Sequence, residues 1–207
     1  MTNVDRRLVA IIATGAVVIA AVLIIVFIAV VPVPEYDELQ RGQLTGYVAY
    51  QSDEDGEPSS IQIVNLESLT QVPAEVHPEF VIVGWDPDGQ LVVQDWRSDR
   101  RYLLIDPNTG DETGTIEPSA VDPYAWENTL DVRHDDRTVT IGPSEAGTAR
   151  FTAPETYDIH SAVALGTDHI VFVDELGRVA VTGTGEDVQP LLIASDASEW
   201  STVAARP

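Results

Sequence analysis

The chain has no cysteine, no lysine and a single methionine. Without cysteine there are no disulfides, no thiol nucleophile and no thiolate metal site, so any folded domain must be held by its core alone. Without lysine, eleven arginines carry all the basic side-chain charge against 34 acids. Excluding Asp5, Arg6 and Arg7, the rest of the chain has 33 acids and nine arginines, a net charge of −24. Such a surface repels nucleic acid and anionic lipid headgroups, which excludes both as partners of the domain. Several motifs are also missing. The four histidines, at 77, 134, 160 and 169, show no H-x-H or H-E-x-x-H spacing. There is no G-x-S-x-G elbow, phosphate-binding glycine loop or dinucleotide fingerprint. No metal, organic cofactor or catalytic residue is therefore expected.

What is present begins at the N-terminus. From Leu8 to Val31 run 24 residues without a charge, nearly all aliphatic. As a helix this run is about 36 Å long, enough to cross a hydrocarbon core of about 30 Å with some tilt. Arg6 and Arg7 precede it, and Glu35, Asp37 and Glu38 follow. The positive-inside rule then places residues 1–7 in the cytoplasm and everything after the run outside it. A cleaved signal would have a shorter apolar stretch and a small-residue cleavage site. The run instead ends in Ala29-Val30-Val31-Pro32-Val33-Pro34, so it is read as a retained single-pass anchor in the cell membrane. Ala16 and Ala20 form a small-xxx-small pair suited to close packing against another membrane helix.

Residues 32–43 read as a stiff, acidic, proline-containing linker, and residues 44–207 as one extracytoplasmic domain. From Leu44 onward no stretch has a helical period. Short Val-, Ile-, Thr- and Tyr-rich runs alternate with Gly, Pro, Asn and Asp, which predicts an all-β domain. Four strand–turn–strand units align: Tyr47–Gln51 with Ser60–Asn65, Leu91–Asp95 with Arg100–Asp106, Thr138–Gly142 with Thr148–Thr152, and Ile170–Asp174 with Arg178–Thr182. Their equivalent valines, 48, 92, 139 and 171, are spaced 44, 47 and 32 apart. That averages about 41, within the span of a four-stranded propeller blade. Trp85 and Trp126 are also 41 apart, and Trp200 lies 74 further on.

One stretch carries a family resemblance. Gly84-Trp85-Asp86-Pro87-Asp88-Gly89-Gln90-Leu91-Val92-Val93, followed by Arg101-Tyr102-Leu103-Leu104-Ile105-Asp106-Pro107-Asn108-Thr109-Gly110, resembles a blade of TolB-like and WD40-like β-propellers. Ile63-Val64-Asn65-Leu66-Glu67 is a second, fair match. The third and fourth units are expected to lack the aspartate–glycine turn. The resemblance implies a scaffold and carries over no catalytic residue. The first unit has no opening strand of its own, whereas Ser198 to Ala205 reads as an unpartnered one. Pairing the two would close a small ring of four blades and remove two exposed edges. A β-sandwich is the alternative architecture.

Asp86–Gly89 and Asp106–Gly110 are read as tight turns in which Pro presets φ and Gly accepts positive φ. An EF-hand register from Asp106 fails because Asp111 stands where the loop requires glycine. Trp96, Arg97, Arg100, Arg101 and Tyr102 form the one concentrated basic and aromatic patch, a candidate partner contact. The competing reading is a hairpin end whose arginines offset nearby carboxylates. The expectation drawn from these features is a non-catalytic, membrane-anchored interaction domain. It would serve as an accessory or assembly subunit of a larger membrane complex, for electron transfer or transport. The alternatives are a ligand- or cation-binding sensor and an envelope hydrolase.

Overall fold

In a computed structural model of the chain the described residues are 35–54, 57–77, 79–95, 101–117, 130–135, 138–142, 151–154, 158–186, 188–198 and 201–207. Residues 35–207 form one unit, separate from 1–34. The expected membrane-spanning run, with Ala16 and Ala20, lies outside the described residues, as do Trp126 and Trp200. Among the described residues no helix is long and apolar enough to cross a membrane.

Regular structure among the described residues is entirely β. In chain order the strands are β1 (Asp37–Glu38), β2 (Tyr47–Glu54), β3 (Glu57–Asn65), β4 (Thr70–Pro73), β5 (Phe80–Trp85) and β6 (Leu91–Asp95). Then come β7 (Tyr102–Ile105), β8 (Glu112–Ile116), β9 (Asp131–Asp135), β10 (Thr138–Gly142), β11 (Phe151–Pro154) and β12 (Ile159–Leu165). The last are β13 (His169–Asp174), β14 (Val179–Gly183), β15 (Gly185–Glu186), β16 (Leu191–Ala194) and β17 (Val203–Arg206). They form four sheets: β17-β2-β3-β4 (sheet I), β5-β6-β7-β8 (sheet II), β9-β10-β11-β15 (sheet III) and β12-β13-β14-β16-β1 (sheet IV).

The expected pairing of the C-terminal stretch with the first unit is present, over Val203–Arg206 and not from Ser198. β17 runs antiparallel to β2, with Val203 opposite Tyr50 and Arg206 opposite Tyr47. Valines 48, 92, 139 and 171 each fall on the second strand of a sheet, as their spacing anticipates. In the third unit the returning strand sits later than expected, at Phe151–Pro154, with Phe151 opposite Ile141.

The strands alternate because successive side chains point to opposite faces, and here both faces of the central strands are covered. Val48 and Tyr50 of β2 join Val203 and Ala205 in a core shared with Val163, Val171 and Val181 of sheet IV. Ala49 and Ala204, on the other face, meet Ile82, Leu91 and Ile105 of sheet II. Sheet IV repeats the device, with Ile170 and Phe172 packing against Ile141 and Phe151 of sheet III. The rings of Phe151 and Phe172 stack at 6.0 Å. Val92, facing away from sheet I, is also fully buried. Sheet I is thus apolar on both sides, which accounts for the small residues Ala49, Ala204 and Ala205 where layers approach closely.

Turns repeat as strands do. Asn65 Oδ1 accepts from the backbone N–H of Glu67 and Ser68, and Asp106 Oδ1 accepts from that of Asn108. Each turn closes on a residue with positive φ, Leu69 at 55° and Gly110 at 81°. One expectation is corrected. The fourth unit does have an aspartate–glycine turn: Gly177 N–H donates to the Asp174 carbonyl at 3.0 Å, as Gly89 does to Asp86 at 3.1 Å. The aspartate and glycine are three residues apart, without the proline that marks the second unit, so the turn is less visible in sequence.

After β14 the chain leaves sheet IV, and β15 pairs parallel with β11 in sheet III. One further segment differs from its sequence reading. The expected linker contributes β1, which pairs parallel with β16, and Leu39 is buried in the core between sheets I and IV.

Glycines 42 and 110 provide a controlled comparison, since both have φ near 80°. A Cβ at Gly42 meets nothing within 4 Å, whereas one at Gly110 would lie 2.0 Å from the Pro73 carbonyl oxygen. Gly42→Ala is expected to cost about 1 kcal/mol, the left-handed backbone penalty alone. Gly110→Ala should cost at least about 2 kcal/mol, because clash adds to strain. Urea unfolding of both variants measures the difference; equal losses would contradict the close approach.

Candidate functional site

Of the expected partner patch, Trp96, Arg97 and Arg100 lie outside the described residues. Arg101 donates from Nη2 to Glu112 Oε1 at 3.2 Å with its side chain more than half exposed. An exposed pair of this kind is worth at most about 1 kcal/mol. Its carbonyl accepts from Asp95 N–H and closes the β6–β7 turn. Tyr102 is half-buried and sits opposite Gln94 and Ile116. The two adjacent members of the patch are thus joined to local strand and charge partners.

A polar centre that the sequence did not announce lies at the β13–β14 turn. Asp174 is 1% exposed, yet its carboxylate is fully engaged. Oδ1 accepts from the backbone N–H of Leu176 and Arg178. Oδ2 accepts from Arg178 Nε at 2.7 Å and lies 2.5 Å from Arg178 Nη2. It also accepts from the Tyr36 hydroxyl at 2.7 Å. The Arg178 guanidinium lies over the Tyr36 ring at 4.1 Å, and that ring meets Phe172 edge-on at 5.9 Å. Burying an ion pair is costly unless its remaining hydrogen-bonding capacity is met, and here it is met. The result fastens Tyr36 to sheet IV. Around it the Glu35 carbonyl accepts from Gln189 Nε2, and Asp37 N–H donates to the Pro190 carbonyl. A tyrosine in an acidic, proline-bounded stretch gives no periodic signal; the Asp174-x-x-x-Arg178 spacing across a glycine turn is the one clue available.

The opposite end of the chain is tied as firmly. Tyr50, fully buried, donates to Asp196 Oδ1 at 2.6 Å and accepts from Gln71 Nε2. Burial first, then the hydrogen bond and negative charge of Asp196, push its phenol far above the ordinary tyrosine range. Ala197 N–H donates to the Gly177 carbonyl and Ser198 N–H to that of Gln51. The Ser201 hydroxyl accepts from Gln51 N–H. A Cβ at Gly177 would lie 2.3 Å from the Ala197 oxygen, so this crossing admits glycine only.

Asp86–Gly89 and Asp106–Gly110 are tight turns whose aspartates accept backbone N–H groups rather than converge. Among the described residues no three His, Asp or Glu side chains gather as metal ligands would. Among the described residues two open clefts lie beside residues 37–45. One is lined by Asp37, Arg41, Gln43 and Leu191, the other by Leu44, Thr45, Thr167, His169 and Pro207. No protein-family model matches the chain, and no curated protein is similar enough to count as a relative.

Removing the hydroxyl in Tyr36→Phe is expected to cost about 1 kcal/mol. Asp174→Ala, which leaves Arg178 without its counter-charge, should cost about 3–5 kcal/mol. Chemical unfolding of both variants checks the order; a Tyr36→Phe loss as large as that of Asp174→Ala would contradict the assignment. A second prediction concerns pH. Because the folded-state pKa of Tyr50 is raised, its contribution is complete below the unfolded value near 10 and declines as pH rises beyond it. Alkaline unfolding of the wild type should therefore be steeper than that of Tyr50→Phe by about 1.4 kcal/mol per pH unit above pH 10. Parallel curves would disprove it.

Proposed function

We propose that this chain is a single-pass membrane protein whose extracytoplasmic domain is a small four-bladed propeller. On this reading it acts without catalysis, as an accessory or assembly subunit of a larger membrane complex. The observation that carries the reading is the early fastening of the described chain at Tyr36, five positions after the apolar run ends in sequence. The run ends at Val31, and by Tyr36 the chain is already locked through Asp174 into sheet IV. β1 joins the same sheet immediately afterwards, so on this reading the tether counted in sequence is short. The domain then meets the outer face of a neighbouring membrane protein.

Four sheets of four principal strands, one completed by β17, support the ring. β17 borders β5 on one side and β12 on the other, which suits an innermost strand. The burial of Val92 on the free face of sheet II supports a fourth inter-sheet contact beyond the three defined cores. The strong negative charge suits a partner with a basic outer face. An electron-transfer or transport complex provides such a setting.

Affinity purification of the internally tagged full chain from mild-detergent membranes, followed by mass spectrometry, tests the proposal. A stoichiometric integral membrane partner is the expected outcome. Recovery of the protein alone as a monomer would refute the accessory-subunit role.

A further inference from the structure

One turn of the domain is held from both sides by segments far apart in the chain. It is the β13–β14 turn, Asp174 to Arg178, and its own hydrogen bonds close it into a unit. Asp174 N–H donates to the Arg178 carbonyl at 3.1 Å, and Gly177 N–H to the Asp174 carbonyl at 3.0 Å. Asp174 Oδ1 accepts from the N–H groups of Leu176 and Arg178. A carboxylate bound in this way to the backbone that follows it cannot turn unless that backbone moves too.

The strap formed by residues 36–39 holds one side of the turn. The Tyr36 hydroxyl donates to Asp174 Oδ2, and the Arg178 guanidinium covers the Tyr36 ring. Further along the strap, Asp37 N–H and Leu39 N–H donate to the carbonyls of Pro190 and Leu192.

The segment that leads into β17 holds the other side. Ala197 N–H donates to the Gly177 carbonyl at 2.9 Å, and a Cβ at Gly177 would lie 2.3 Å from the Ala197 oxygen. No side chain intervenes at this crossing, so a displacement of one backbone reaches the other directly. Asp196, the preceding residue, accepts from Tyr50, and Ser198 N–H donates to the Gln51 carbonyl.

Apolar packing joins the same two segments. Leu39 of the strap and Ala197 of the lead-in are both buried in the core between sheets I and IV. That core also contains Val173 and Val179, the residues that flank the turn. A close-packed interior of this kind transmits a shift rather than absorbing it.

We propose that the Asp174–Arg178 turn couples the strap to the closure of sheet I by β17, so that each docked segment stabilises the other. The element with two arrangements is the turn itself. Seated, it presents Asp174 Oδ2 to Tyr36 and the Gly177 carbonyl to Ala197 together; unseated, it presents neither. Drawing the strap off sheet IV therefore loosens the lead-in to β17, and such coupling acts equally in reverse. A load or a competing contact at the strap is thereby felt at β17. The inference rests on these contacts alone and stands whether or not the chain belongs to a membrane complex.

The test follows amide hydrogen exchange residue by residue in the full chain, in mild-detergent micelles. Tyr36→Phe keeps the ring and removes only the hydroxyl. It should speed exchange at Ala197 and Ser198 about fivefold, the share of one hydrogen bond passed on to local opening. The amides of Gly89 and Gly110, which close turns in sheet II, should keep their rates. The reverse arm uses Gly177→Ala, which pushes against Ala197 and should speed exchange at Asp37 and Leu39 by a similar factor. If Gly177→Ala does not fold, the Tyr36→Phe arm decides alone. The proposal is overturned by unchanged rates at Ala197 and Ser198 in Tyr36→Phe. The same acceleration at Gly89 and Gly110 would overturn it too, since that is global destabilisation. So would a folded Gly177→Ala whose strap amides exchange as in the wild type.

Discussion

The antiparallel pairing of Val203–Arg206 with Tyr47–Tyr50 is the contact on which the other layers depend. β17 is the first strand of sheet I, although it is the last in the chain, and it is apolar on both faces. Val203 and Ala205 complete the core toward sheet IV, and Ala204 completes the core toward sheet II. Taking it away would expose the backbone edge of β2 and open two cores together. Joining the ends of the chain carries a loop-closure entropy cost that grows only slowly with length. Burial on both sides of one short strand offsets that cost, and the strand needs no disulfide to hold it.

The same economy explains where the polar groups sit. A fold of layered sheets has few places for a buried charge except at turns, where backbone N–H groups are left over. Asp174 occupies such a place. It satisfies two backbone donors of its own turn, neutralises Arg178 and still accepts from Tyr36. Tyr50 and Asp196 perform the parallel task for the segment leading into β17. The segment around Tyr36 and the segment leading into β17 are therefore each fixed by a phenol hydrogen-bonded to a carboxylate. In each case burial of the aromatic ring makes the single hydrogen bond specific rather than merely favourable.

These fastenings give the proposed role its physical content. A domain tethered by a slack linker samples many orientations, and a partner must then meet the entropy cost of selecting one. On the proposed reading, a domain whose chain is already locked at Tyr36 has met part of that cost during folding. The charge distribution adds a second element. Acids dominate the surface, and Arg101, paired with Glu112, merges with that background.

Much of the architecture was legible in the residues. Val48, Val92 and Val171 mark strands because β-branched residues bounded by turn formers have few other uses, and their spacing reflects a repeated unit. The closing strand was legible by elimination, as an apolar C-terminal stretch faced a first unit short of one strand. The Asp106 turn was legible because proline and glycine announce it locally. The rest needed tertiary structure, for a common physical reason: it depends on pairs of residues far apart in the chain that have no periodicity of their own. Tyr36 meets Asp174 across 138 positions, β15 crosses to another sheet, and the glycine at 177 matters for the segment that crosses it. Periodicity, turn chemistry and charge, all local in range, determined that this is a β domain following an apolar run. Only the packing of its layers decided which side chains are locked and which are buried.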